Sequence, residues 1–161
     1  MVSFLNKDVG WTIIDYDNNQ FPFQRIIEGK ILEFVFEEFG DKIDNLENLH
    51  HSLSVIENLE IIRQKLFSIF REDDFQECYK DFAKVLIDKY KSKDALVQRT
   101  PTARIQPPEF MTTSFHTDAW YGHSQTTNSF WVPITDVCEN NTLNIAPSHK
   151  VSDITMEKIA A

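Results

Sequence analysis

Residues 115–123 read Phe115-His116-Thr117-Asp118-Ala119-Trp120-Tyr121-Gly122-His123. Side chains two apart on a strand project to the same side, so His116 and Asp118 can approach one ion together. An imidazole and a carboxylate from one strand end, joined by a second histidine from elsewhere, make the facial triad of non-haem Fe(II) sites. The His-x-Asp spacing alone is weak evidence, because a histidine hydrogen-bonded to a nearby carboxylate gives the same pattern and binds nothing.

Working outward, the residues on either side read as short strands. Leu96-Val97 and Ala103-Arg104-Ile105 flank Thr100-Pro101, and Pro107-Pro108 ends that run. Thr112 to His116, Ser129 to Val132 and Leu143 to Ile145 follow, with Asn140-Asn141 as a turn. Short strands at this spacing predict antiparallel sheets in a sandwich or barrel.

Before Ala95 the pattern is helical. A strand is expected from Trp11 to Tyr16 and a turn at Asp17-Asn18-Asn19. A helix is predicted over Phe23–Phe39, with Ile27, Ile31, Phe34 and Val35 on one face and Gly40 as its stop. A polar connection spans Asp41 to Asn48. A second helix is expected from Leu53 to Phe70, carrying Ile56, Leu59, Ile62, Leu66 and Phe70. A third is capped by Asp74, with Phe75, Cys78, Tyr79, Phe82, Leu86 and Tyr90 on one face. These stripes read as core packing.

The whole chain has 161 residues, 42% of them hydrophobic, and 13 are Phe, enough for one domain with a real core. Only 4 glycines and a net charge of −9 argue against a glycine-rich phosphate cradle and against general nucleic-acid binding. Two cysteines, Cys78 and Cys138, make neither a disulfide framework nor a zinc ribbon and suit a reducing cytoplasm. No signal peptide or membrane-spanning run is apparent.

The motifs come in a definite order. Arg104-Ile105-Gln106-Pro107-Pro108 precedes the His116-x-Asp118 stretch. Asn128-Ser129-Phe130-Trp131-Val132-Pro133-Ile134-Thr135-Asp136 follows, then Glu139-Asn140-Asn141 and Pro147-Ser148-His149-Lys150. This series resembles the phytanoyl-CoA dioxygenase-like branch of the Fe(II)/2-oxoglutarate-dependent oxygenases, over about Arg99 to Lys150.

The resemblance implies an α+β fold. N-terminal helices (1–94) would pack on an antiparallel double-stranded β-helix of jelly-roll or cupin type, whose first strands occupy 95–161 of a single domain. It implies Fe(II) as metal, 2-oxoglutarate as co-substrate and hydroxylation of a small molecule, with succinate and CO2 as the other products. His116 and Asp118 match the first two iron ligands and Trp131 lines the co-substrate pocket. Asn128 is placed to hydrogen-bond 2-oxoglutarate, and Arg104 and Gln106 alternate on a strand that faces the same cavity or solvent. Tyr121 and His123 contact substrate or stabilise a turn. His149 falls in the Ser-His-Lys segment, which does not ligate iron in that family.

The family's distal histidine and its 2-oxoglutarate-anchoring arginine have no counterpart, since no histidine follows His149 and no arginine follows Arg104. The expectation is therefore a fragment carrying the front half of an oxygenase. The alternative is a non-catalytic relic or interaction module of the same fold. A zinc or cupin-type site built from His116, Asp118, His123 and His149 is a third reading, disfavoured because its spacing matches no zinc motif.

Overall fold

The computed structural model describes residues 3–6, 11–90, 94–106, 122–124, 127–138 and 143. Two short strands open the chain, β1 (Ser3–Asn6) and β2 (Trp11–Ile14). They pair antiparallel, with Ser3 opposite Ile14 and Asn6 opposite Trp11. The turn after β2 is built by Asp17. Its carbonyl accepts from the amides of Gln20 and Phe21 (3.1 and 2.8 Å), and its Oδ1 accepts from the amide of Asn19 (2.8 Å). A short carboxylate that bonds its own backbone two residues on favours such a turn.

Helix α1 spans Phe23–Phe39 and ends at Gly40, as the periodicity predicts. Gly40 sits at φ 73°, where it caps the helix through its amide to the Phe36 carbonyl at 2.9 Å. Only glycine takes that conformation without a Cβ penalty. Phe23, Ile27, Ile31 and Val35, four residues apart, form the buried face.

The connection after α1 is not simply polar coil. Residues Leu46–His51 make a 3₁₀ helix whose Asn45 side chain accepts from the Asn48 amide. Leu46 is buried beneath it, and its amide donates to Glu28 of α1 at 3.0 Å.

The predicted second helix is two helices, α2 (Leu53–Glu57) and α3 (Leu59–Ile69). Ser52 caps α2 by accepting from the Val55 amide at 3.0 Å, and its hydroxyl donates to Asp41 at 2.5 Å. The break falls at Asn58, whose side chain donates to the Ser54 carbonyl at 2.8 Å and whose ψ of 33° leaves the helical range. Asparagine competes with the helix for backbone partners, and the apolar stripe does not reveal that competition.

Helix α4 spans Asp73–Tyr90. Asp74 is inside the first turn rather than at the N-cap position, and its Oδ1 accepts from the Phe75 amide at 2.8 Å. The first helical bond runs from the Gln76 amide to the Glu72 carbonyl at 2.9 Å. The Asp74 carboxylate also meets Lys30 of α1, and Glu72 meets the same ammonium (2.7 and 2.5 Å). One cation thus ties α1 to the α3–α4 turn. Asp73 and Asp74 also suit the positive end of the helix dipole.

The core lies where α1 meets α3 and α4. Ile31, Val35, Ile62 and Ile69 are its most deeply buried side chains, and Phe82 is the hub of its aromatic cluster, with ring centroids 5.2 to 5.3 Å from Phe21, Tyr16 and Phe23 in edge-on or near edge-on contact. Phe75 lies between Phe23 and Phe70 (5.6 and 4.7 Å).

After Tyr90 no described residue belongs to a helix or a strand. The strands expected at 96–97, 103–105 and 129–132 are not paired in a ladder there. The expectation for 112–116, and for 144–145, lies outside the described residues. Period-two burial nevertheless survives. Ala103 and Ile105 pack half-buried on the helical core while Thr102, Arg104 and Gln106 are exposed. Val132 and Ile134 repeat this between exposed Trp131, Pro133 and Thr135. Alternation chooses the buried face, whereas a ladder also needs a neighbouring strand to take its hydrogen bonds.

Candidate functional site

The helical layer provides a floor on which two extended segments lie. The first is held at its start by α4. The Tyr79 hydroxyl donates to the Gln98 carbonyl at 2.8 Å, and Gln76 Nε2 donates to the Arg99 carbonyl at 3.2 Å. Gln76 also reaches the Phe70 carbonyl at the end of α3 (2.6 Å). The Gln98 side chain then donates to the Thr102 hydroxyl at 3.3 Å across the bend. The second segment is held by the Asp136 amide donating to Glu47 of the 3₁₀ helix (3.3 Å), and Phe130 lies 5.9 Å from Tyr90 at the end of α4.

Four candidate residues fall within these segments. Arg104 and Gln106 share the face turned away from the helices, as alternate positions must. Trp131 is also exposed, on the opposite side of its segment from the half-buried Val132 and Ile134. Asn128 is exposed too, in a stretch from Thr127 to Trp131 that is exposed throughout. The structure therefore sets Arg104 and Gln106 together and leaves Asn128 and Trp131 both exposed on the second segment.

His116 and Asp118 lie outside the described residues, as do Tyr121 and His149. His123 is described and exposed, directly after Gly122 at φ 85°. Among the described residues no group of three or more His, Cys, Asp or Glu side chains is placed to hold a metal ion. The donor types at His116 and Asp118 suit Fe(II), because imidazole and carboxylate are both among its ordinary ligands.

Cys78, Tyr16 and Tyr79 pack against the helical core. Burial pushes the Cys78 thiol up, with Asp81 adding to the effect, and burial likewise raises the Tyr16 and Tyr79 phenols. A thiol held protonated is a poor nucleophile.

Sequence reasoning missed Gln76, Tyr79 and Glu47 as residues that hold the candidate segments. Tyr79 was visible as part of an apolar stripe, but a phenol ring reads the same whether or not its hydroxyl finds a distant carbonyl. No helix among the described residues is long and apolar enough to cross a membrane. Comparison of the chain with protein-family models, curated proteins and solved structures finds no match.

Proposed function

We propose that this chain belongs to an Fe(II)/2-oxoglutarate-dependent oxygenase of the phytanoyl-CoA dioxygenase-like kind, acting on a small molecule. The observation that carries the reading is the ordered series from Arg104 through His116-x-Asp118 and Trp131 to Lys150. The shared face of Arg104 and Gln106 and the period-two burial of both extended segments support it. On this reading the segments after Ala95 are the first strands of a jelly roll, backed by the helices of 1–94.

His116 and Asp118 would hold the metal through an imidazole nitrogen and a carboxylate oxygen. Bound Fe(II) would supply the redox chemistry that couples decarboxylation of 2-oxoglutarate to hydroxylation of a C–H bond. Arg104 offers a guanidinium to a carboxylate of the co-substrate, a charge-assisted bond with fixed fork geometry. Gln106, on the same face, adds a donor and an acceptor. Trp131 supplies an apolar wall, and Asn128 a side-chain amide that can donate to a carboxylate oxygen. No third metal ligand is assigned to this chain.

The test is binding of radiolabelled 2-oxoglutarate by equilibrium dialysis under nitrogen, with and without Fe(II). Binding is expected to require Fe(II) and to be lost in His116→Ala and in Asp118→Ala. Binding that needs no Fe(II), or that both substitutions leave intact, refutes the reading, and absence of binding at saturating Fe(II) favours a non-catalytic relic or interaction module of the same fold.

A further inference from the structure

We propose that Gln76 and Tyr79 are positioning residues that fix where the 98–106 segment lies along α4, and so where Arg104 and Gln106 are presented. The importance of that placement rests on the function proposed above, whereas the clamp itself rests on geometry alone.

Two consecutive carbonyls, Gln98 and Arg99, are taken by side chains three residues apart on α4. Residues three apart on a helix are neighbours on one face, so the two donors form a single short row. The alternation of Ala103 and Ile105 with Arg104 and Gln106 sets which face of the segment is buried. That pattern has period two, and a slip of two residues leaves it unchanged. A slip of two would still carry Arg104 about 7 Å along the helices at ordinary strand rise. The clamp distinguishes these positions, because it pairs particular carbonyls with particular donors. Gln76 also bonds the end of α3, so the clamp is braced by a second helix. Gln98 closing on Thr102 stiffens the bend that leads from the clamp to Arg104.

The test uses the full chain with Tyr79→Phe, Gln76→Met and the pair combined. Tyr79→Phe keeps the ring, which stacks on Phe75 at 6.1 Å, and removes only the donor. Brief trypsin digestion reads detachment by cleavage after Arg99 and Arg104, against cleavage after Lys80 within α4. Losing one such hydrogen bond should raise the detached population, and the cleavage rate after Arg99 and Arg104, about fivefold. The pair should raise it more than either alone. Cleavage after Lys80 and the helical circular dichroism should stay as in the parent. Equal rises at all three sites, or none after Arg99 and Arg104, overturn the clamp.

A second arm measures 2-oxoglutarate affinity in the presence of Fe(II). Tyr79→Phe should weaken it while Fe(II) binding is unchanged. Unchanged affinity alongside raised cleavage overturns the placement of Arg104. A parent chain that binds no 2-oxoglutarate bears on the proposed function alone and favours its relic or interaction-module alternative, because the digestion still decides the clamp.

Discussion

Replacing Phe82 with alanine should unfold this protein more readily than any change on its surface. The ring is 7% exposed and meets three other aromatic rings at 5.2 to 5.3 Å. Removing a buried phenylalanine costs about 3–5 kcal/mol, from lost transfer energy and the cavity left behind. The edge-on ring pairs place Phe82 towards the upper part of that range, since each is worth about 0.5–1.5 kcal/mol beyond burial. A domain has only about 5–15 kcal/mol in total, so roughly 4 kcal/mol is a large share of it. With a urea slope of about 2 kcal/mol per molar, the unfolding midpoint should fall by about 2 M. Phe36 provides the control. It lies on α1 and is 59% exposed, so Phe36→Ala should cost under about 0.5 kcal/mol. Phe82→Leu, which leaves a smaller hole, should fall between them. The assay is urea unfolding followed by helical circular dichroism. A Phe82→Ala midpoint shift no larger than that of Phe36→Ala would refute Phe82 as the hub of the aromatic cluster in the core.

Lys30→Met should make stability less sensitive to acid. The hydrogen bond from Lys30 lowers the Asp74 carboxyl below its ordinary 3.8, although burial works the other way. A lowered folded-state value adds stability above the ordinary value, and that increment is lost as pH falls through the lowered one. Asp74 is half exposed, so solvent screening keeps the effect below about 1 kcal/mol. Urea midpoints compared at pH 6 and pH 3 should therefore differ less in the variant than in the parent, and an equal difference would contradict this. Gly40→Ala should cost about 1 kcal/mol from backbone strain alone, because an added Cβ would meet nothing within 4 Å at φ +73°. Gly40→Asn should recover part of that loss in a thermal melt. Ser52→Ala should also cost about 1 kcal/mol by uncapping α2. In a double cycle with Asp41→Asn, measured by urea unfolding, the two changes should couple, since the hydroxyl donates to that carboxylate.

Local rules wrote the helical layer into the sequence. The four-residue spacing of Phe23, Ile27, Ile31 and Val35, and glycine at position 40, need no distant partner to specify a helix and its end. The Asp17 turn follows from equally short-range chemistry. The sequence placed Arg104 and Gln106 on one side of their segment by alternation, and left open whether that side meets a cavity or solvent. The candidate iron ligands His116 and Asp118 rest on sequence order alone.

The tertiary structure decided what depends on partners far along the chain. Lys30 meets Glu72 and Asp74 more than forty residues away, a tie between α1 and the start of α4 that the local pattern around Asp74 does not show. The break at Asn58 and the 3₁₀ helix at Leu46–His51 interrupt stretches whose apolar pattern or polarity hid them. Tyr79 and Gln76 reach carbonyls about twenty residues on, and Glu47 reaches the amide of Asp136. A hydrogen bond between side chain and backbone leaves no periodicity in sequence, because any carbonyl offers the same acceptor. Only the packing of α4 against the core fixes which carbonyl comes within reach.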